Sequence, residues 1–225
     1  PATFAPDMWS HQYDQQVNQV QCTINPDHNW STNGPESNLY GLEPNYGCCT
    51  SNMHQGWPKF AAHLWMKTQD EGIVAAAWAP SQARFESKGV PVTVSLDSDY
   101  PFRDALRITV RPERAARFPL VLRVPAWADR ASVRVAGGRE EAMKPGTLHR
   151  IEREWTGEVE VSVRFPMPAA ISTRYNGAVA VERGPLVFAL QIGEAWTQVN
   201  ADKPHRELPH GDFEVRPTTP WNYGL

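Results

Sequence analysis

Two rhythms of apolar and polar positions divide the chain near residue 67. Beyond it the period is two, the mark of strands with one buried face. Residues 72–78 are a candidate strand ended by Pro80, and 90–96, 106–111, 120–124, 132–135 and 159–165 carry this alternation, as in Leu106-Arg107-Ile108-Thr109-Val110-Arg111. Two further strands are predicted at 178–182 and 186–190, on either side of Arg183-Gly184-Pro185. Short strands separated by turn signals such as Asp97-Ser98-Asp99, Pro125-Ala126-Trp127 and Gly137-Gly138 predict an antiparallel β-sandwich. From Thr197 the period is lost, and Pro204, Pro209, Pro217 and Pro220 predict an extended tail or the start of a further β domain.

Before residue 67 the rhythm is helical at most. Phe60, Leu64 and Trp65 recur at i, i+4 and i+5 between Met53 and Met66. Ser51 or Asn52 can cap that stretch, and Pro58 fits the first position of a helix that begins near Trp57, where its missing N–H costs nothing. The remainder is loop-like and rich in Asn, Gln, His and Trp. One helix cannot bury Trp9, Trp30, Trp57, Phe60 and Trp65, so residues 1–67 are expected to close a larger helical domain. The predicted order is therefore 1–67, the end of a helical domain; 68–196, the β-sandwich; and 197–225, the tail.

Composition narrows the function classes. The formal net charge is -3, and the basic residues are scattered without a stripe, which argues against a nucleic-acid partner. No apolar run is long enough to span a membrane. No charged-then-apolar leader precedes the first loops, so the residues assign no compartment.

The densest chemistry lies in Tyr46-Gly47-Cys48-Cys49-Thr50-Ser51-Asn52. Adjacent cysteines rarely adopt the geometry of a disulfide. Two neighbouring thiols can instead share one soft metal, or one can serve as a nucleophile. Cys22 is the only other cysteine. Between Val20 and Ile24 it reads as a buried inert thiol, with a third metal ligand as the alternative. Glu43 and Tyr46, just before the pair, and His54, just after it, are candidate sugar-binding groups, and His28 sits in a polar loop that can face the same cleft. His63 is read as packed against its helix neighbours. Asp97-Ser98-Asp99 lacks the glutamate a calcium loop requires.

The run from Gly41 to Phe60, Gly-Leu-Glu-Pro-Asn-Tyr-Gly-Cys-Cys-Thr-Ser-Asn-Met-His-Gln-Gly-Trp-Pro-Lys-Phe, resembles the cysteine-pair signature of glycoside hydrolase family 127, the β-L-arabinofuranosidases and their uncharacterised relatives. Gln15-Gln16-Val17-Asn18-Gln19 and Val181-Glu182-Arg183-Gly184-Pro185-Leu186 also resemble stretches of that family. The resemblance implies the end of an (α/α)6 barrel followed by β-sandwich domains. It implies a zinc ion held by a Glu-x-Cys motif and by both cysteines of the pair. It further implies Cys48 as nucleophile and zinc ligand, Cys49 as zinc ligand, retention of configuration, and a carbohydrate substrate such as an L-arabinofuranoside of plant type. The 225 residues contain no Glu-x-Cys, and the family's acid/base glutamate lies upstream of the pair, so the chain alone is expected to be inactive. The motif carries Thr50-Ser51-Asn52 where characterised members have Pro-Pro-Asn. Two other classes compete: a non-catalytic carbohydrate-binding or scaffold sandwich, and a structural zinc or redox module, for which the C-x-x-C spacing is lacking.

Overall fold

The computed structural model describes residues 5, 7–12, 19–26, 34–41, 52 and 54–222. By compactness the chain forms two units, one of residues 57–188 and one of residues 1–56 together with 189–225.

In the first unit the alternation becomes a sandwich. Strands β1 (Trp65–Lys67), β2 (Ile73–Ala75), β6 (Ala116–Arg123) and β9 (Leu148–Trp155) form one sheet in the order β1-β2-β6-β9. The second sheet, in the order β3-β4-β5-β10-β7-β8, comprises β3 (Ser81–Ser87), β4 (Val90–Ser98), β5 (Ala105–Pro112), β7 (Ser132–Val135), β8 (Glu140–Ala142) and β10 (Val159–Arg164). Val90, Val92, Val94 and Leu96 point inward from β4, as do Leu106, Ile108 and Val110 from β5 and Val159, Val161 and Val163 from β10. Each such side chain contributes roughly 1.5–3 kcal/mol when fully buried. Phe118 of β6 joins the two sheets: its ring meets Phe85 of β3 edge-on at 5.4 Å and stacks on Trp155 at 5.7 Å. The Trp155 indole donates to the Phe118 carbonyl at 2.9 Å, which satisfies its only polar atom inside the core.

One pairing runs parallel, β2 against β6 with Ile73 opposite Leu120. Gly72 stands just before it, where any side chain would meet the Pro119 ring and carbonyl within 2.6 Å. A glycine is required there by close approach of two backbones.

Three expectations change in this unit. The helix α1 spans only Gly56–Ala62, and all seven of its residues are exposed. Leu64 and Trp65, assigned above to that helix, belong to the sandwich: the Leu64 carbonyl accepts the N–H groups of Ala76 and Ala77, and Trp65 pairs with Ala75 in β1. Burial of Leu64 against strands outweighs local helix propensity. Asp97 and Ser98, read as turn residues, extend β4 and pair with Arg107 and Leu106. Strands β3 and β9 were not predicted, because their inward positions include Ser81, Ser87, His149 and Arg153 rather than a run of aliphatics. Beyond the sandwich, β11 (Ala169–Thr173), β12 (Val179–Arg183) and β13 (Leu186–Phe188) form a three-stranded antiparallel sheet.

The second unit is built differently. Strands β14 (Glu194–Val199) and β15 (Asp212–Pro217) form an antiparallel ribbon across the region read as an extended tail or the start of a further β domain. The proline positions concealed it: Pro204 and Pro209 lie in the connection, and Pro217 ends β15. Isolated bridges tie earlier residues to the ribbon, Cys22 to Val215 and Tyr40 to Phe213, and another joins His11 to Gly41. Its buried residues include Ser10, His11, Gln12, Thr23, Ser37, Asn38 and Asp212 beside Cys22, Leu39 and Val215. Asp212 accepts from Arg206 Nε at 2.9 Å and from Asn200 Nδ2 at 3.0 Å. Among the described residues no helix is long and apolar enough to cross a membrane.

Candidate functional site

The backbone leading into the cysteine-pair segment is held by a ladder. Tyr40 exchanges hydrogen bonds with Phe213 at 3.2 and 2.7 Å, and Gly41 with His11 at 2.9 Å in both directions. Glu43, Tyr46, Cys48 and Cys49 follow, and they lie outside the described residues, as does His28. The description resumes where Asn52 accepts twice from Gln55, through its carbonyl at 3.1 Å and through Oδ1 at 2.5 Å. Asn52 has helical backbone of its own and does not cap α1, whose first residue is four positions later. His54 is exposed in the turn ahead of α1.

The helix that follows leaves Trp57 65% exposed and Phe60 43% exposed, their rings edge-on at 6.5 Å. His63, expected to pack, is also exposed, with Nδ1 2.6 Å from the Lys59 carbonyl.

Cys22 is buried, and its Sγ accepts from Gln12 Nε2 at 3.1 Å. Burial pushes the thiol up to about 11, against the opposing hydrogen bond from Gln12 and with the aid of the negative charge of Glu194. A thiol held protonated at neutral pH is a poor nucleophile. Its neighbours do not supply the reason given in sequence: Ile24 is exposed, and Thr23, not Val20, shares the buried environment. Among the described residues no group of three or more His, Cys, Asp or Glu side chains could hold a metal ion.

Two concavities are lined by described residues. On the six-stranded sheet a groove of about 630 Å³ is lined by Asp97, Asp104, Arg107, Arg134, Glu140 and Arg164 among others. The residues pair across it, Arg107 with Asp97, Arg134 with Glu140 at 3.1 Å and Arg164 with Asp104 at 3.0 Å. Glu140 is held below the usual carboxylate range, first by the Ser132 hydroxyl and then by Arg134. In the second unit a pocket of about 250 Å³ gathers Gln12, Cys22, Tyr40, Glu194 and Trp196 with neighbouring backbone. Neither concavity was visible in sequence, because each draws its lining from positions far apart along the chain.

Residues 72–167 match a family model described as the middle domain of GH127 beta-L-arabinofuranosidase. The whole chain is similar in fold to a GH127 beta-L-arabinofuranosidase from Geobacillus stearothermophilus T6, with a TM-score of 0.66 at 20% identity. It covers 38% of that structure. A structure described as a glycoside hydrolase is matched over 96% of this chain and 43% of its own length, with a TM-score of 0.66 at 18% identity. A GH127 beta-arabinofuranosidase is matched over 95% and 36%, with a TM-score of 0.66 at 17% identity. The chain thus spans about two fifths of the length of these structures. No curated protein matches it. The likenesses establish the fold, and the family model meets independently the resemblance carried by the cysteine-pair segment, since the matched residues lie beyond that segment. Over residues 72–167 the chain is thus similar to the middle domain of GH127 beta-L-arabinofuranosidase.

Proposed function

We propose that this chain is part of a retaining glycoside hydrolase in which Cys48 is the nucleophile and Cys49 its metal-binding neighbour. The observation that carries the reading is the order of two independent signals: the cysteine-pair signature at residues 41–60 directly precedes the GH127 middle domain at 72–167.

Two soft sulfur donors suit zinc, which binds cysteine as thiolate. Bound there, a zinc ion would keep Cys48 deprotonated at neutral pH, where a free thiol of pKa about 8.5 is mostly protonated. The Cys48 thiolate attacks the anomeric carbon, and a C–S bond forms as the glycosidic C–O bond breaks. The leaving oxygen takes a proton from the acid/base glutamate that the family resemblance implies. Water then displaces sulfur and returns its proton to the same carboxylate. Two inversions give retention. Glu43, Tyr46, His54 and His28 are proposed to bind the sugar. An L-arabinofuranoside or related plant glycan is the proposed substrate, in line with the activity named for two of the similar structures.

The test is the full-length protein assayed on an aryl β-L-arabinofuranoside and related glycosides, with zinc measured in parallel. Cys48→Ala should abolish turnover, and Cys49→Ala should lower both zinc content and turnover. Full activity in Cys48→Ala would remove the nucleophile assignment. The isolated 225 residues should hydrolyse nothing.

A second reading, a carbohydrate-binding or scaffold module without catalysis, draws on the 630 Å³ groove of the six-stranded sheet. Turnover by the full-length protein that depends on Cys48 would exclude it.

A further inference from the structure

The pocket of the second unit is built around an aromatic wall. Tyr40 and Trp196 lie with ring centroids 5.0 Å apart and planes tilted by 48°. Trp196 is steadied from another side by Phe213, edge-on at 5.9 Å, and its indole N–H donates to Glu194 Oε2 at 2.8 Å. Held by three partners, the ring is nevertheless 39% exposed. A firmly held, partly exposed indole is the kind of surface on which the C–H face of a sugar ring stacks, at little cost in side-chain entropy.

The polar groups around that wall are those a hydroxyl-rich ligand uses. Glu194 accepts from the indole through Oε2, and Gln191 lines the pocket from the segment just before β14. Gln12 is only 2% exposed, and its amide is fixed by bonds to the Asn38 carbonyl at 2.8 Å and to Cys22 Sγ at 3.1 Å. Glu194, Cys22 and Tyr40 share the lining; burial is the main cause that raises Cys22 and Tyr40, and the Glu194 charge is a smaller one.

Charge and size limit the ligand further. The lining holds one anion, Glu194, and one cation, Arg216, whose Nη2 is already bonded to Glu214 Oε2 at 3.1 Å. A phosphate or nucleotide would find no unpaired cation among the described lining residues. The volume of about 250 Å³ falls below the ~300–1,000 Å³ of sites for drug-sized ligands, so one ring fits and a chain does not.

We propose that this pocket binds a single neutral sugar ring, stacked on Trp196 and hydrogen-bonded to Glu194 and the neighbouring amides. The site is distinct in its residues from the Cys48 chemistry and stands whether or not that reading holds.

The experiment uses the full-length protein in its Cys48→Ala form, so that turnover does not consume the probe. L-Arabinose, D-galactose and D-glucose are titrated while tryptophan fluorescence is followed, with inorganic phosphate as the anionic comparison. Saturable quenching by at least one sugar in the millimolar range is expected, and none by phosphate. Trp196→Ala should abolish it, and Glu194→Gln should weaken it roughly tenfold. Trp57→Ala, on the exposed helix, should leave it unchanged. Absence of saturation with every sugar, or saturation by phosphate, overturns the proposal, as does binding that survives Trp196→Ala. Should Trp196→Ala fail to fold, Glu194→Gln decides alone: unchanged affinity there overturns the assignment. Loss of binding in these variants together with intact glycosidase activity in the parent protein would separate this pocket from the catalytic site.

Discussion

The two units of this chain bury different chemistry. Residues 57–188 hide alternating aliphatics, from Val90 to Leu96 on β4 and from Leu106 to Val110 on β5, around Phe118 and Trp155. The unit of residues 1–56 and 189–225 hides Ser10, His11, Gln12, Ser37, Asn38 and Asp212. The first gains stability from area removed from water, which tolerates much variation in detail. The second relies on pairings such as that of Asp212 with Arg206 and Asn200, since an unpaired buried group costs about 1–3 kcal/mol, and Asn38 Oδ1 is one left without a partner. A core of the first kind is written in sequence as a rhythm. A core of the second kind is written only in the matching of distant groups.

The largest expected effect falls on the apolar side. Trp155→Ala removes a fully buried ring and its bond to the Phe118 carbonyl, and should cost ~3–5 kcal/mol in urea unfolding followed by circular dichroism. A loss below ~1 kcal/mol would mean that the sandwich does not rest on this contact.

On the polar side, Asp212→Ala leaves Arg206 and Asn200 without their acceptor, and should cost about 3 kcal/mol in the same assay. If Asp212→Leu proves as stable as the parent, the pairing is dispensable and the contrast between the cores weakens.

A smaller effect is set by pH. Burial raises Cys22 from an ordinary 9.0 to about 11. Between those values the unfolded thiol loses its proton while the folded one keeps it, so the stabilisation is complete below about pH 9 and is lost as pH rises through 11. Thermal midpoints should fall over that window in the parent and fall less in Cys22→Ala. An equal fall in both would show that Cys22 does not carry the effect.

The smallest effect concerns the exposed pairs. Arg111→Ala, which breaks a bond to Glu158 on the open sheet face, should leave the unfolding midpoint unchanged. A measurable loss would move part of the stability from the core to the surface.

Legibility followed the same division. The strands at 90–98, 105–112 and 159–164 were readable because each places a branched aliphatic at every second position. β9 was missed although it ends in the fully buried Trp155, since His149 and Arg153 occupy its inward positions. The ribbon β14–β15 was legible only as a tail or the start of a further β domain, because its prolines sit at the end and in the connection, where they terminate strands without preventing them. Of the candidate site, the cysteine pair was legible as local chemistry, and Cys22 was rightly read as buried. The sugar pocket was invisible, because Gln12, Tyr40 and Trp196 are brought together by the bridges of Cys22 to Val215 and of Tyr40 to Phe213.

Sequence by itself determined the sandwich and the residues that could carry chemistry, because period and side-chain type are local properties. Only the tertiary structure decided that Leu64 leaves the helical pattern for the sheet, that Asp97 and Ser98 extend β4, and that Tyr40 and Trp196 share one wall. These outcomes depend on partners tens of residues away, and no local rhythm encodes which distant backbone a segment will meet.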